Sequence, residues 1–144
     1  MKTLQQALND KKRQEIIGIA PNKPVFDALV VMSEYRIGAL AVMEGDTLVG
    51  IFSERDYARE VVLKGRSSKT TLVSEVMTSK LITASPNDLV DSAMHTMSES
   101  RIRHLPVMLD GKMIGMLSQG DLVKETIAYQ KQLIQQLESY IRGG

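Results

Sequence analysis

The sequence contains no cysteine, almost no net charge and no long apolar run. Without cysteine there is no disulfide, no thiolate zinc site and no cysteine nucleophile, which agrees with a reducing compartment. The 18 lysines and arginines balance 17 acidic residues to a formal charge of +1, so no global basic field attracts nucleic acid and any anion site must be local. The apolar stretch at 37–43 is far shorter than the ~20 residues of a membrane span, and no signal run opens the chain. We therefore expect a soluble, cytoplasmic protein with no nucleic-acid or membrane partner.

An internal repeat is the main feature that is present. The 144 residues are enough for one compact domain that buries roughly 68–70% of its unfolded surface. Residues 21–60, laid over residues 86–125 without a gap, are identical at sixteen of forty positions, where chance gives about two or three. The chain is therefore two copies of one unit, offset by 65 residues.

Both copies predict the same order of elements. A short apolar run at 15–20 or 80–85 suits a strand and stops at a Pro-Asn pair that suits a helix start. Two apolar runs separated by hairpin-turn residues follow the helix, and a second helix begins at a Ser-x-x-Asp sequence. The unit is an α/β (α+β) strand-helix-strand-strand-helix with a right-handed crossover, and two units are expected to pack sheet against sheet. The first helices carry an apolar stripe predicted to be core: Val25, Ala28, Leu29 and Met32, and Val90, Ala93, Met94 and Met97.

The segments outside the repeat predict connections and short helices. Residues 72–77 resemble a helical lead-in to the second copy, and residues 3–8 resemble its counterpart ahead of the first. The extra charged stretch at 9–14 is either a solvated loop or a loop that contacts phosphate. The predicted division is a first domain at 3–63, a polar linker at 64–71, a second domain at 72–127 and a helical extension at 128–144.

Each copy ends in Gly-apolar-apolar-Ser-x-x-Asp, at residues 50–56 and 115–121. The pattern predicts a capping box, in which the Ser accepts from the N3 amide and the acid reaches back to the N-cap amide. It also suits a nucleotide, because a carboxylate accepts from both ribose hydroxyls and free helix amides suit a phosphate. Only the second interpretation explains the glycine, whose missing Cβ would let a ligand approach closely. Spacing leaves both interpretations open, and they can coexist.

The doubled motif, preceded by "RIGALAVM" at 36–43 and "RIRHLPVM" at 101–108, resembles a pair of cystathionine β-synthase (CBS) domains over residues 3–127. Such a pair is called a Bateman module, here of the stand-alone bacterial type. The resemblance implies two β-α-β-β-α repeats with pseudo-twofold symmetry and a regulatory, non-catalytic role. It also implies an adenosyl ligand such as AMP, ADP, ATP, NAD(H) or S-adenosylmethionine in clefts between the repeats. No effector domain is expected, so the regulated partner is an unknown protein.

By this resemblance the motif Asp binds the ribose hydroxyls and the motif Ser lies near ribose or phosphate. Arg55 sits near the positive end of its helix, where a cation costs ~0.3–1 kcal/mol unless an anion is close. Arg103 and His104 stand at the place of Gly38 and Ala39, where related modules contact phosphate, although both can equally be a solvated charge and a partly buried imidazole. The nucleotide-binding candidates are Gly38, Ala39, Ser53, Arg55, Asp56, Thr83, Arg103, His104, Ser118 and Asp121.

Catalytic and metal sites are not expected. Ser118, His104 and Asp121 are the residue types of a hydrolase triad, but Ser118 lacks the Gly-x-Ser-x-Gly elbow and the first copy has no histidine at all. His95, the other histidine, shares no ligand spacing with His104. A purely structural dimerisation module would explain the fold but not the repeated motif.

The end of the chain predicts one continuous helix. No Pro or Gly occurs between Gly120 and Gly143, so a helix of roughly 35 Å is expected. An apolar stripe on the part beyond the second copy predicts a homodimer, because a stripe without an intrachain partner usually finds one in another chain. Its members are Ile127, Ile134, Leu137 and Ile141.

Overall fold

The structure is a computed structural model that describes residues 1–143. It has mixed α+β architecture and divides into two compact units. The first-repeat unit comprises residues 15–82, and the second-repeat unit comprises residues 1–14 together with the chain from residue 83 onward. The elements in chain order are α1 (Leu4–Asp10), β1 (Gly18–Ile19), α2 (Val25–Tyr35), β2 (Ala39–Glu44), β3 (Thr47–Ser53), α3 (Glu54–Asp56), a π-helical segment (Tyr57–Val62), α4 (Val73–Val76), α5 (Val90–Ser100), β4 (His104–Leu109), β5 (Lys112–Ser118) and α6 (Gln119–Ile141).

The first-repeat unit confirms the predicted order of strand, helix, strand, strand and helix. Strand β1 pairs in parallel with β2, and β2 pairs antiparallel with β3. The hairpin turn places Gly45 at a φ of 59°, a left-handed conformation that glycine adopts without a Cβ penalty. Apolar side chains of α2, the three strands and the π-helical segment form its core, as their spacing predicts. The core includes Val25, Ala28, Met32, Leu40, Val42, Phe52 and Val61.

The second-repeat unit repeats the hairpin, but the strand predicted at 80–85 does not form. Strands β4 and β5 pair antiparallel with a register irregularity after Val107, at the place where the first hairpin has one after Val42. In place of a strand, Ala84 makes an isolated parallel bridge to Val107. The pair corresponds to Ile19 and Val42 of the other unit. A segment at the edge of a sheet can pair with only one strand. Here that strand is β4, and only Ala84 of the segment forms ladder bonds with it.

The short helices α1 and α4 are exchanged between the two repeats. The Leu4 amide donates to the Asp88 carbonyl at 2.8 Å, and the Val73 amide donates to the Lys23 carbonyl at 2.9 Å. The amides in the first turn of a helix have no partner inside that helix. The turn before α5 supplies a carbonyl to α1, and the turn before α2 supplies one to α4. The sequence assigned residues 3–8 to the first domain and 72–77 to the second, whereas the structure places each in the unit built around the other repeat. Their buried side chains, Leu4, Ala7 and Leu8 or Val73 and Val76, join the core of that unit.

Helix α6 confirms the predicted long C-terminal helix. It runs for 23 residues, or about 34 Å at ~1.5 Å per residue. Leu122 near its start is buried, while every residue from 130 to 142 is exposed. Within residues 1–143, neither α6 nor another helix combines the length and apolarity that crossing a membrane requires.

Candidate functional site

In the first-repeat unit, the motif forms a closed capping box at the junction of β3 and α3. The Ser53 amide and hydroxyl donate to Asp56 Oδ2 at 2.9 and 3.0 Å, and the Asp56 amide donates to Ser53 Oγ at 3.2 Å. Strand pairing sets Ala39 opposite Ser53. The Glu54 amide donates to the Gly38 carbonyl at 3.0 Å. The structure therefore brings four of the predicted residues together around the start of one helix.

The second-repeat unit builds the same arrangement at the start of α6. The Ser118 amide donates to Asp121 Oδ2 at 2.8 Å, and the Asp121 amide donates to Ser118 Oγ at 3.1 Å. His104 lies opposite Ser118 across the hairpin. The Gln119 amide donates to the Arg103 carbonyl at 2.8 Å. Arg103 and His104 thus lie beside this capping box, where the first-repeat unit has small side chains.

The remaining predicted residues lie less centrally. Arg55 is half-buried on the short helix between Ser53 and Asp56. Arg103 has an exposed side chain. Thr83 is also exposed and precedes Ala84, which bridges to the middle of β4, whereas His104 begins that strand. Thr83 is therefore the candidate with the weakest geometric link to the motif.

Each motif carboxylate has a further partner from the segment that follows an exchanged helix. The Thr78 hydroxyl donates to Asp56 Oδ1 at 2.9 Å. In the other unit Lys11 Nζ lies 3.1 Å from Asp121 Oδ2 and donates to the Met116 carbonyl at 2.7 Å. The sequence prediction missed both, because the exchange that delivers them leaves no local pattern. The other residues of the stretch at 9–14 are exposed, as a solvated segment predicts, but Lys11 is an exception because its half-buried ammonium is bonded to the protein.

The electrostatic environment of Asp121 favours its charged form. Burial raises the pKa of this carboxyl, but the Ser118 amide and the hydrogen bond and charge of Lys11 outweigh burial and lower the pKa below its usual value. The carboxylate is therefore ionised at neutral pH and partly neutralised by a cation. Asp56 is held by the neutral hydroxyls of Ser53 and Thr78. The two carboxylates occupy equivalent positions with different charge surroundings.

The motif glycines are explained by protein packing. A Cβ on Gly50 would lie 2.6 Å from Met77 Sδ and 3.0 Å from the Thr78 carbonyl oxygen. A Cβ on Gly115 would lie 2.6 Å from Leu8 Cδ2. The glycines thus make room for the exchanged segments. The expectation that only a ligand explains them is wrong, because every part of the motif has a role inside the protein.

Comparison with known proteins gives the family. The model of the CBS domain matches residues 12–63 and 73–127. The chain is 45% identical over 125 residues to the CBS domain-containing protein CBSX3, mitochondrial, of Arabidopsis thaliana, covering 83% of this chain but only 61% of that protein's length. It is 30% identical over 116 residues to YhcV of Bacillus subtilis, covering 81% and 82%.

Solved structures agree with these relatives. A protein with CBS domains from Burkholderia ambifaria MC40-6 has a TM-score of 0.85 at 48% identity, over 88% of this chain and 95% of that one. The CBS domain pair of protein MJ0100, solved in complex with 5'-methylthioadenosine and S-adenosyl-L-methionine, has a TM-score of 0.78 over 90% and 98%, and at 21% identity it shows the fold alone. The two matched segments include both hairpins and both capping boxes, and the chain therefore belongs to the CBS-domain family, with two such domains in tandem.

Proposed function

We propose that this chain binds an adenosyl nucleotide such as AMP or NAD(H) and passes its ligand state to an effector protein. The CBS pair is a regulatory module, and the identity of its ligand is what we propose here. One observation carries it: two equivalent carboxylates, Asp56 and Asp121, are fixed at helix starts next to the first residues of a hairpin strand. The adenosyl compounds held by the MJ0100 pair support the same ligand class for this chain.

The capping boxes prepare the carboxylates for a sugar. Each Asp accepts a hydrogen bond from the backbone amide of the motif Ser. Thr78 also bonds to Asp56, and Lys11 also lies beside Asp121. Because the carboxylates are already fixed, little side-chain freedom is lost when a ribose diol binds. Adjacent cations supply the phosphate contact. These are Arg103 and His104 in the second-repeat unit and Arg55 in the first, whereas Gly38, Ala39 and Thr83 would only line the sites.

Lys11 gives the second-repeat unit an additional cation for phosphate. Its ammonium is already 3.1 Å from Asp121 Oδ2, so a ribose on that carboxylate would place its phosphate within the same group of positive charges. This supports the sequence-based alternative that residues 9–14 contact phosphate. A nucleotide with phosphate would then bind better than adenosine in this unit.

A purely structural role is the second candidate. It is favoured by the closed capping boxes and by the packing of Met77 and Leu8 against the motif glycines, which together account for the motif without a ligand. In this case the pair would serve only to hold chains together. The two functions differ in one measurable property, which is the binding of nucleotides.

Calorimetry on purified, nucleotide-stripped protein tests the proposal. We expect heat of binding with at least one of AMP, ADP, ATP, NAD, NADH and S-adenosylmethionine. We also expect a raised melting temperature, since a ligand at 100 times its Kd stabilises the fold by about 2.7 kcal/mol. No heat with any of the six at millimolar concentration would favour the structural role. The existence of an effector protein stays a prediction. The cytosolic location also stays a prediction, since the related CBSX3 is named as a mitochondrial protein.

A further inference from the structure

The projecting part of α6 carries apolar side chains that its own unit does not cover. Ile134, Leu137 and Ile141 are 54%, 61% and 81% exposed. The exposed segment from residue 130 to 142 is roughly 20 Å of helix at ~1.5 Å per residue. Helices of this length are marginal in water unless an apolar face is packed. This segment therefore needs a partner surface.

The spacing of the apolar residues indicates that the partner is another helix. Ile127, Ile134, Leu137 and Ile141 occupy a and d positions of a heptad repeat, and the remaining d position of this stretch holds the polar Gln130. An apolar seam at a and d positions is the surface that a facing helix covers in a coiled coil. Two kinds of residue flank the seam: Lys131 and Glu138 on the e side, and Leu133 and Tyr140 on the g side.

We propose that α6 pairs with α6 of a second copy of this chain in antiparallel orientation, about a twofold axis between Gln135 and Gln136. In an antiparallel pair, a residues face d residues. Ile134 then packs against the partner's Leu137, and Gln130 against the partner's Ile141. Each contact occurs twice, because a twofold interface repeats every pair. The overlap uses only residues that are exposed in the single chain.

Charge complementarity selects this orientation. In the antiparallel pair e faces e and g faces g, so Lys131 meets the partner's Glu138 twice, and Leu133 meets the partner's Tyr140. In a parallel pair e faces g, and Lys131 would meet Thr126 while Glu138 would meet Leu133. Lys131 and Glu138 are seven residues apart, too far along one helix to pair with each other. The inference goes beyond nucleotide binding and does not rest on it.

Sedimentation over a range of micromolar concentrations tests the pairing itself. We expect a reversible dimer in the wild type and a monomer in the Ile134→Asp, Leu137→Asp double variant. Gln132→Asp, on the outer face of the same helix, is the matched control and should stay dimeric. Circular dichroism and the melting of the two repeats would show that the variants fold. A monomeric wild type, or a dimer that survives the double variant, would overturn the proposal.

A charge exchange tests the orientation. Lys131→Glu and Glu138→Lys should each weaken the dimer about 5- to 30-fold, because two attractive pairs become repulsive. The double variant that carries both changes should recover most of the lost affinity, because it restores two attractive pairs with the charges reversed. Dimerisation that the single changes leave unaltered, or that the double variant fails to recover, would exclude the antiparallel arrangement.

Disulfide trapping gives an independent readout, since the chain has no cysteine of its own. An equal mixture of Ile134→Cys and Leu137→Cys chains should form mainly the mixed 134–137 cross-link under mild oxidation. A parallel pair would instead give mainly 134–134 and 137–137 cross-links. Mass spectrometry of the linked peptides separates these results, and the second pattern would overturn the proposed orientation.

Discussion

Lys11 and Asp121 form an ion pair, with Nζ 3.1 Å from Oδ2, whereas in the other unit the hydroxyl of Thr78 lies 2.9 Å from Oδ1 of Asp56. The two repeats therefore hold equivalent carboxylates with partners of different charge. Within its own unit, the Asp121 carboxylate thus has an ammonium partner, and the Asp56 carboxylate has a hydroxyl partner. This difference can be measured with or without a ligand.

Replacing Lys11 with Met should raise the pKa of Asp121 and reduce stability at neutral pH. The pKa of Asp121 is lowered in the folded protein, so its contribution to stability is present above the unfolded value of about 3.9 and is lost as pH falls through the folded value. The difference between wild type and Lys11→Met should thus shrink towards pH ~2. Urea unfolding from pH 2 to 7 and carboxyl NMR titration measure the two effects.

Lys12→Met is the matched control for that variant, because Lys12 is the exposed neighbour of Lys11 in the same stretch. It should leave the pKa of Asp121 and the pH dependence of stability close to those of the wild type. An unchanged Asp121 pKa in Lys11→Met would show that the ion pair contributes nothing in solution.

Changing Asp56 or Asp121 to Asn should weaken the binding of adenosine and of AMP by similar factors. Both ligands present the same ribose hydroxyls, and a lost hydrogen bond to a charged group costs about 1.5–3 kcal/mol, or about 10- to 150-fold in Kd. Asn is preferred to Ala since its carbonyl can still accept the cap bond from the Ser amide. Calorimetry with both ligands measures the effect. A loss confined to AMP would assign the carboxylates to another part of the ligand.

Arg103→Ala should separate phosphate from sugar recognition. As a phosphate contact Arg103 has no partner in adenosine, so AMP should lose about 10- to 150-fold in affinity while adenosine barely changes. Lys112→Ala, an exposed cation at the other end of the same hairpin, is the control. If the ratio of the two affinities does not change, the phosphate contact must be sought near Arg55 or Lys11.

Gly50→Ala should destabilise the protein more than Gly115→Ala. The added methyl group at Gly50 meets both Met77 and the backbone carbonyl of Thr78, whereas at Gly115 it meets only the flexible end of Leu8. Overpacking of this kind costs about 1–3 kcal/mol, with the smaller value expected at Gly115. Thermal or urea unfolding measures both. Equal losses would mean that the Thr78 backbone moves aside readily.

The repeat made most of the fold predictable from the sequence. Two copies of one pattern strengthen each assignment, and the capping boxes were predicted because Ser and Asp three residues apart form a local contact. The exchange of α1 and α4 was not predictable in the same way. Both segments are short helices with a few apolar residues, and their sequences do not indicate which of the two repeats they pack against. Lys11 and Thr78 were missed as partners of the carboxylates for the same reason.

The failed strand at 80–85 has a different cause. Its apolar residues match a strand pattern, but a strand also needs neighbours, and only Ala84 reaches one there. The number of backbone hydrogen bonds that an edge segment forms depends on how far the chain runs beside the neighbouring strand. Residue types alone do not specify this length.

The exchange of α1 also fixes the order in which the two units can be completed during synthesis. Residues 15–82 form one unit from an uninterrupted stretch of chain, while α1 leaves the ribosome before them and docks beside α5. With about 80 residues between the two helices and a ribosome adding ~5–20 residues per second, α1 waits roughly 4–16 s for its docking site. During this interval Leu4 and Leu8 have no core to join. Helix α1 is therefore synthesised well before the unit that buries it, and until that unit forms its apolar side chains stay exposed.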